Sequence, residues 1–279
     1  MTGSGHSTVA KWARAGLTRL EEALPPAPGR VLRETAFSAY KTLVRLAYLR
    51  RPLLSTLRGK QQDAERQWLV FRLMPYSLVG WKGLELTYAC VRQAQARGLT
   101  GDLVECGVAR GGSAALMGLA NERVREPGML WLFDSYEGLP DPTSEDFEDD
   151  STGAHVRPLH RGSCLGTYDE VASLLFGTLK LRRDRVTMVQ GWFQDTLPEK
   201  APAIPAISVL RLDGDWYAST LCCLEHLYDK VVPGGFVILD DYHSCFGCAR
   251  AADEFLARRG VRVRIEPDGR GGAYFVKPA

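Results

Sequence analysis

The sequence predicts an α/β protein built on a mostly parallel sheet with helices on both faces. Three observations carry this. Short apolar runs alternate with helical patterns from Gly101 onward, and those runs are nearly continuous in apolar character, as strands buried on both faces are. The last two runs are joined by DGRGG, which reads as the turn of an antiparallel hairpin.

Taken in order, residues 61–97 hold two helical patterns, AERQWLVFRLM and GLELTYACVRQAQARG, parted near Pro75 and closed by Gly98. The pattern changes at Gly101. DLVECGV is a strand, GSAALMGLANERV a helix, MLWLFDSY a strand, YDEVASLLFGTL a helix and VTMVQGWF a strand. AISVLRLDGD (strand), YASTLCCLEHLYDKV (helix), GGFVILDDY (strand) and CARAADEFLARRG (helix) follow, then VRVRIEP and GAYFVK as the closing strands. No internal repeat or low-complexity tract interrupts them.

At 279 residues and 45% hydrophobic, the chain can bury the core of one large or two small domains. No stretch approaches the roughly 18 uninterrupted apolar residues of a membrane span. The polar start MTGSGHSTVAKWARAG lacks the apolar run of a signal peptide, so a soluble cytoplasmic protein is expected. The seven cysteines, Cys222 and Cys223 adjacent among them, are expected as reduced thiols in a chain of this size.

A formal net charge of +2 conceals a divided chain: residues 1–60 carry net +8 and the remainder net −6. The basic stretch YKTLVRLAYLRRPLLSTLRGK has near-helical spacing of its apolar residues. It reads as a solvated helix covering the main domain, as an attractor of an anionic substrate or partner, or as a membrane-surface helix, in that order. Its aromatics are not interleaved in a nucleic-acid-binding motif, and no nucleic-acid partner is expected.

In parallel sheets ligands bind beyond the carboxyl ends of the strands. The acids fall there: Glu105 and Asp134 close the first two strands, Asp213 and Asp215 the fourth, Asp240 and Asp241 the fifth. Six carboxylates on one rim repel one another unless something positive or hydrogen-bonding lies among them. In VECGVARGGSAAL, Gly107, Gly111 and Gly112 let backbone approach a ligand, though a tight turn without a ligand would use the same glycines. Asp134, 23 positions beyond Gly111, stands where an acid accepts hydrogen bonds from a ribose.

Asp213 and Asp215 project to one side if the backbone stays extended, whereas Asp240 and Asp241 project apart unless the strand end bends. Oxygen-only ligands suit a hard cation such as magnesium. Either pair alone reads equally as structure, with Asp215 capping the helix that starts near Tyr217 and Asp240 or Asp241 supporting a turn.

Five blocks in order, GDLVECGVARGGSA, FDSYEGLP, GWFQDTLP, LRLDGDWYAST and VPGGFVILDDYHSCFGC, resemble the macrocin O-methyltransferase (TylF-like) family. The resemblance implies a class I methyltransferase, Rossmann-like domain over residues 101–279 and a helical, more variable extension over 1–100. It implies S-adenosylmethionine and Mg2+ as cofactors, methylation of a sugar hydroxyl on a glycosylated small molecule, and a homodimer. By the same resemblance Asp213, Asp240 and Asp241 are metal ligands and Asp215 is the general base. Glu105, Gly107, Gly111, Asp134, Ser135 and Asp213 belong to the cofactor site, with Gly191 and Trp192 beside the adenine.

Three other readings remain at this point. Catechol-type O-methyltransferases share the fold but commonly place a lysine where this chain has Trp216, and asparagine where it has Asp241. A nicotinamide-dependent oxidoreductase would use the glycine loop and Asp134 but leaves the DGD and DD pairs idle. A non-catalytic binding module leaves both pairs idle as well. Cys245 and Cys248 in CFGC read as structural thiols rather than half a zinc site, because the chain has no second CxxC. His243 reads as substrate-facing or as a solvated loop residue, and residues 141–167 as a plain loop or a lid.

Overall fold

The computed structural model describes residues 26–148 and 155–279, with side chains from residue 38 onward. Residues 1–25 and 149–154, which hold the polar start and part of the SEDFEDD run, lie outside the described residues. The chain divides into two compact units, Met1–Ala64 and Glu65–Ala279. The first contains helix α1 (Pro26–Leu57), so the basic stretch is helical as its spacing predicts. Helix α2 (Gln61–Leu73) ends in a 3-10 turn at Met74–Tyr76, at Pro75 as expected. Among the described residues no helix is long and apolar enough to cross a membrane.

The second unit is organised by a seven-stranded sheet in the order β3-β2-β1-β4-β5-β7-β6. Its strands are β1 (Asp102–Cys106), β2 (Leu130–Asp134), β3 (Val186–Gln190), β4 (Ile207–Leu212), β5 (Val231–Leu239), β6 (Glu266–Pro267) and β7 (Ala273–Val276). Strands β1 to β5 pair parallel, and β7 runs antiparallel to both β5 and β6. Every residue of β1 and β4 is buried, which the continuous apolar runs required. The helices between strands are α3 (Trp81–Ala96) before β1, α4 (Gly112–Asn121), α5 (Tyr168–Ala172), α6 (Phe193–Lys200), α7 (Tyr217–Leu227) and α8 (Phe246–Arg258). Helix α3 ends as Gly98 takes a left-handed conformation, φ +66°.

Three details depart from expectation. The helical run YDEVASLLFGTL is α5 continued by a π-helical turn over Ser173–Thr178 rather than one regular helix. Only Glu266 and Pro267 of VRVRIEP form a strand. Its apolar residues Val261, Val263 and Ile265 still pack against the core, but the segment lies before the sheet's outer edge and Pro267 offers no N–H to extend the ladder. Helix α8 begins two residues earlier than CARAADEFLARRG suggests, with Cys245 at its N-cap.

The order reverses between β1 and β4, the switch point at which such sheets bind ligands. The parallel ladder runs one residue past the strands there: Gly107 N–H donates to Phe133 O, Asp213 N–H to Cys106 O, and Asp240 N–H to Leu212 O. Asp213 and Asp240 are thus placed by sheet hydrogen bonds, not by loop packing.

Candidate active site

Beyond β4 the chain leaves the extended form at once. Asp215 has φ +55°, a left-handed conformation rare for a residue with a Cβ and often stored at functional sites. The extended backbone that would put Asp213 and Asp215 on one side is therefore not kept past β4, and the two acids fall in two groups that share Asp241. Asp213, Asp240 and Asp241 offer oxygens within 4.8 Å of one another, and Asp215, Asp241 and Cys245 form a second such group. The end of β5 does bend, as Asp240 and Asp241 must if both are to serve one site.

Asp215 does not cap the following helix. Trp216 is the N-cap of α7 and contributes no side-chain bond, while Tyr217 N–H donates to Asp146 Oδ1 at 2.7 Å. Trp216 is buried, its indole N–H donating to Pro140 O at 3.1 Å. Cys245 Sγ lies 3.8 Å from Asp215 Oδ1, and Cys248 is buried in the core. His243 is exposed and its backbone N–H donates to Gly271 O.

The positive partner that the rim acids demand is Arg211, next to last in β4 and fully buried. Its Nη1 donates to Glu105 Oε1 at 3.1 Å and Asp213 Oδ2 at 2.9 Å, and its Nη2 to Asp240 Oδ1 at 2.7 Å. Arg270, from the loop between β6 and β7, donates to Asp240 Oδ2 at 2.8 Å. Burial alone would raise the Asp240 carboxyl, but these two guanidiniums hold it below the usual carboxylate range.

Its neighbours move the other way. Burial, then repulsion from Asp213 and Asp240, pushes Asp215 up to about 7, and burial, then repulsion from Asp215, Asp213 and Asp240, raises Asp241 well above the ordinary range. Asp213 is raised by burial and by Asp240. Glu105 is pushed up to about 7 by complete burial, against the pull of Arg211. Ionised, the carboxylates of Glu105, Asp213, Asp215, Asp240 and Asp241 outnumber the two guanidiniums, and Asp241 Oδ2 is buried without a hydrogen-bond partner. A hard dication held by Asp213, Asp240 and Asp241 fits this arrangement: it balances charge and satisfies the orphan oxygen.

The glycine loop is drawn tightly beside the acids. A Cβ on Gly107 would lie 1.8 Å from Asp213 O, so only glycine lets the β1 loop close on the β4 terminus. Gly111, φ +82°, is the N-cap of α4. Asp134 binds this loop to β2: Oδ2 accepts the N–H groups of Val108 and Ala109, and Oδ1 that of Tyr136. A ribose at Asp134 would share these oxygens with three amides. Ser135 closes its own turn, accepting Glu137 N–H and donating to Gly138 O. Gly191, φ +140°, and the half-buried Trp192 follow β3 on the same rim. The Tyr136 hydroxyl is buried without a hydrogen-bond partner, and Glu105 Oε2 has at most the hydroxyl of nearby Ser113. Such orphans at the switch point suit a polar ligand lying along the glycine loop.

A sequence model of the macrocin O-methyltransferase (TylF) family matches residues 20–277. The chain belongs to that family. As a TylF-family protein it is an O-methyltransferase. It is 37% identical over 223 residues to a demethyldecarbamoylnovobiocin O-methyltransferase of Streptomyces niveus, covering 79% of this chain and 82% of that one. A mycinamicin III 3''-O-methyltransferase of Micromonospora griseorubida is 33% identical over 220 residues, 78% and 85% of the two chains. Among solved structures, the O-methyltransferase NovP superposes with a TM-score of 0.63 at 36% identity, covering 73% of this chain and 83% of that one. The calicheamicin methyltransferase CalS11 shares the fold at 18% identity and a TM-score of 0.57, over 84% and 91%. The oxidoreductase and binding-module readings are thereby set aside for this TylF-family chain.

Sequence reasoning missed Arg211, Arg270, Tyr136 and Asp146. For Arg211 a signal was present, since a guanidinium inside a strand buried on both faces must be neutralised by nearby acids. Arg270, in a glycine-rich turn, and Asp146, within an acid run, carry no such mark.

Proposed function

We propose that this methyltransferase moves the methyl group of S-adenosylmethionine to a sugar hydroxyl of a glycosylated natural product, with Mg2+ held by Asp213, Asp240 and Asp241. The observation that carries the reading is the convergence of those three carboxylates at the β1/β4 switch point with Asp215 beside them. The name of a further relative, an 8-demethyl-8-(2,3-dimethoxy-alpha-L-rhamnosyl)-tetracenomycin-C 4'-O-methyltransferase of Streptomyces olivaceus, 35% identical over 236 residues, supports a glycosylated acceptor. The buried Trp216 leaves no lysine at that place and disfavours a catechol-type acceptor.

When bound, the ion lowers the pKa of a coordinated hydroxyl and the sulfonium makes the methyl electrophilic. The chain supplies placement and proton removal. Asp215 accepts the hydroxyl proton in this reading; burial and the neighbouring Asp213 and Asp240 raise its carboxyl to about 7, and an ion held among those acids would draw it down. The cofactor would supply the methyl group and leave as a neutral thioether, the acceptor hydroxyl having given its proton to Asp215. Glu105, Gly107, Gly111, Asp134, Ser135, Gly191 and Trp192 border the cofactor in this reading. In the same reading the half-buried Asp213 would border both the ion and the cofactor. A homodimer and a cytoplasmic location belong to the same proposal.

The test is transfer of labelled methyl from S-adenosylmethionine to a panel of demethylated antibiotic glycosides, with Mg2+ or chelator. Chelator should abolish product, and Asp215→Asn should cut kcat by about 10^2- to 10^4-fold while cofactor affinity measured by calorimetry persists. Asp213→Ala should abolish turnover, again with cofactor binding retained. Wild-type rates in either variant, or in chelator, would defeat the assignment.

A further inference from the structure

Asp240 stands apart from the other acids because guanidinium groups hold both of its oxygens, Arg211 at Oδ1 and Arg270 at Oδ2. The two arginines are not equivalent. Arg211 is fully buried and tied at once to Glu105, Asp213 and Asp240, so it has nowhere to go. The Arg270 side chain is 32% exposed against 4% for Asp240, and it reaches in from the hairpin loop.

That loop is firm beneath it. Asp268 Oδ1 accepts the N–H groups of Arg270, Gly271 and Gly272, and Lys82 Nζ donates to Gly269 O at 2.6 Å. The arginine stem passes Gly80, where even an added Cβ would stand 3.7 Å from its Cδ. A pinned backbone with a partly solvated side chain lets the guanidinium leave Asp240 without moving the hairpin. Meanwhile a dication on Asp213, Asp240 and Asp241 would compete with this guanidinium for the same carboxylate and be repelled by its charge.

We propose that Arg270 is a resident counter-cation of the metal site, a positioning residue that holds Asp240 while no divalent ion is bound, yields its share of Oδ2 when one binds, and thereby weakens and tunes metal affinity. This rests on the reading of Asp213, Asp240 and Asp241 as metal ligands. It explains how buried acids stay ordered before an ion arrives, and it makes the exposed arginine, not the buried one, the residue that sets how readily the ion is exchanged.

The probe is Mn2+, an oxygen-preferring ion whose free form is counted by electron paramagnetic resonance, titrated into the full-length wild type, Arg270→Met, Arg270→Gln and Asp241→Asn. Both Arg270 substitutions should tighten binding by about tenfold or more, equivalent to ~1.4 kcal/mol. They should also melt lower than the wild type in chelator and gain more than it does from saturating Mn2+. Arg270→Gln keeps a donor for Asp240 while removing the charge, and it decides the matter if the methionine variant does not fold. Wild-type binding that both substitutions leave unchanged or weaken would overturn this inference alone. A wild type that binds no Mn2+ would overturn the metal reading with it.

Discussion

Arg211 shows what a single side chain does at the base of this site. It is the only fully buried cation among the described residues, and three acids from three neighbouring strand ends converge on it. Replacing it with methionine fills similar volume but strands Glu105, Asp213 and Asp240 without their shared partner. Arg211→Met should therefore lose about 3–5 kcal/mol, read from the midpoint of urea unfolding at constant slope. A variant as stable as the wild type would mean that the acids simply take up protons. In the sequence this residue sits in plain view inside VLRLDGD, yet the text of a strand does not say on which face, or against which distant acid, a side chain will fall. The acids themselves were legible because strand ends in a parallel sheet are where ligands bind, and because short motifs at those ends resemble one family.

At the scale of elements, the helices and strands from β1 to β5 follow directly from period and apolar run length. The failures lie where a hydrogen bond comes from far along the chain. Helix α7 has no cap of its own, and Asp146, 71 residues earlier, supplies one at Tyr217 N–H while also accepting from Thr143 N–H and its hydroxyl. A Cβ on Gly247 would lie 2.1 Å from the same Asp146 oxygen, so α8 is fitted around it as well. Asp146→Ala should cost ~1–2 kcal/mol, seen as a lowered Tm, and should loosen the loop it anchors. An unchanged Tm would show that water replaces the cap. The spacing Thr143-x-x-Asp146 is that of a local capping box, but nothing in SEDFEDD marks the second bond of Asp146, to a helix 71 residues on. Likewise, Val261, Val263 and Ile265 bury themselves without strand pairing, because the period reports burial and not ladder bonds.

For the molecule as a whole, all seven cysteines are free, as chain length suggested. Their thiols are hard to ionise: burial pushes Cys90 and Cys164 up to about 12 and Cys222 up to about 11. Folded protein at pH 8 should react with a thiol-specific reagent far more slowly than unfolded protein, and a native burst of one thiol per chain would contradict this.

Arg211 also has a bearing on how the chain arrives at its fold. Glu105 lies 106 positions from it and Asp240 lies 29 away, so the strands that meet at this guanidinium are brought together only by long loop closures. Side chains alternate along a strand, and a slip of β4 by one residue would turn Arg211 to the opposite face of the sheet. The misaligned sheet would still be greasy on both faces, since Val209, Leu210 and Leu212 are interchangeable in bulk. It would, however, take the shared guanidinium away from Glu105 and Asp240, leaving Glu105 buried without a cation. The central strands are thus proofread by charge, and the same contact that readies the rim for chemistry rejects the near-miss alignments that hydrophobic packing alone would tolerate.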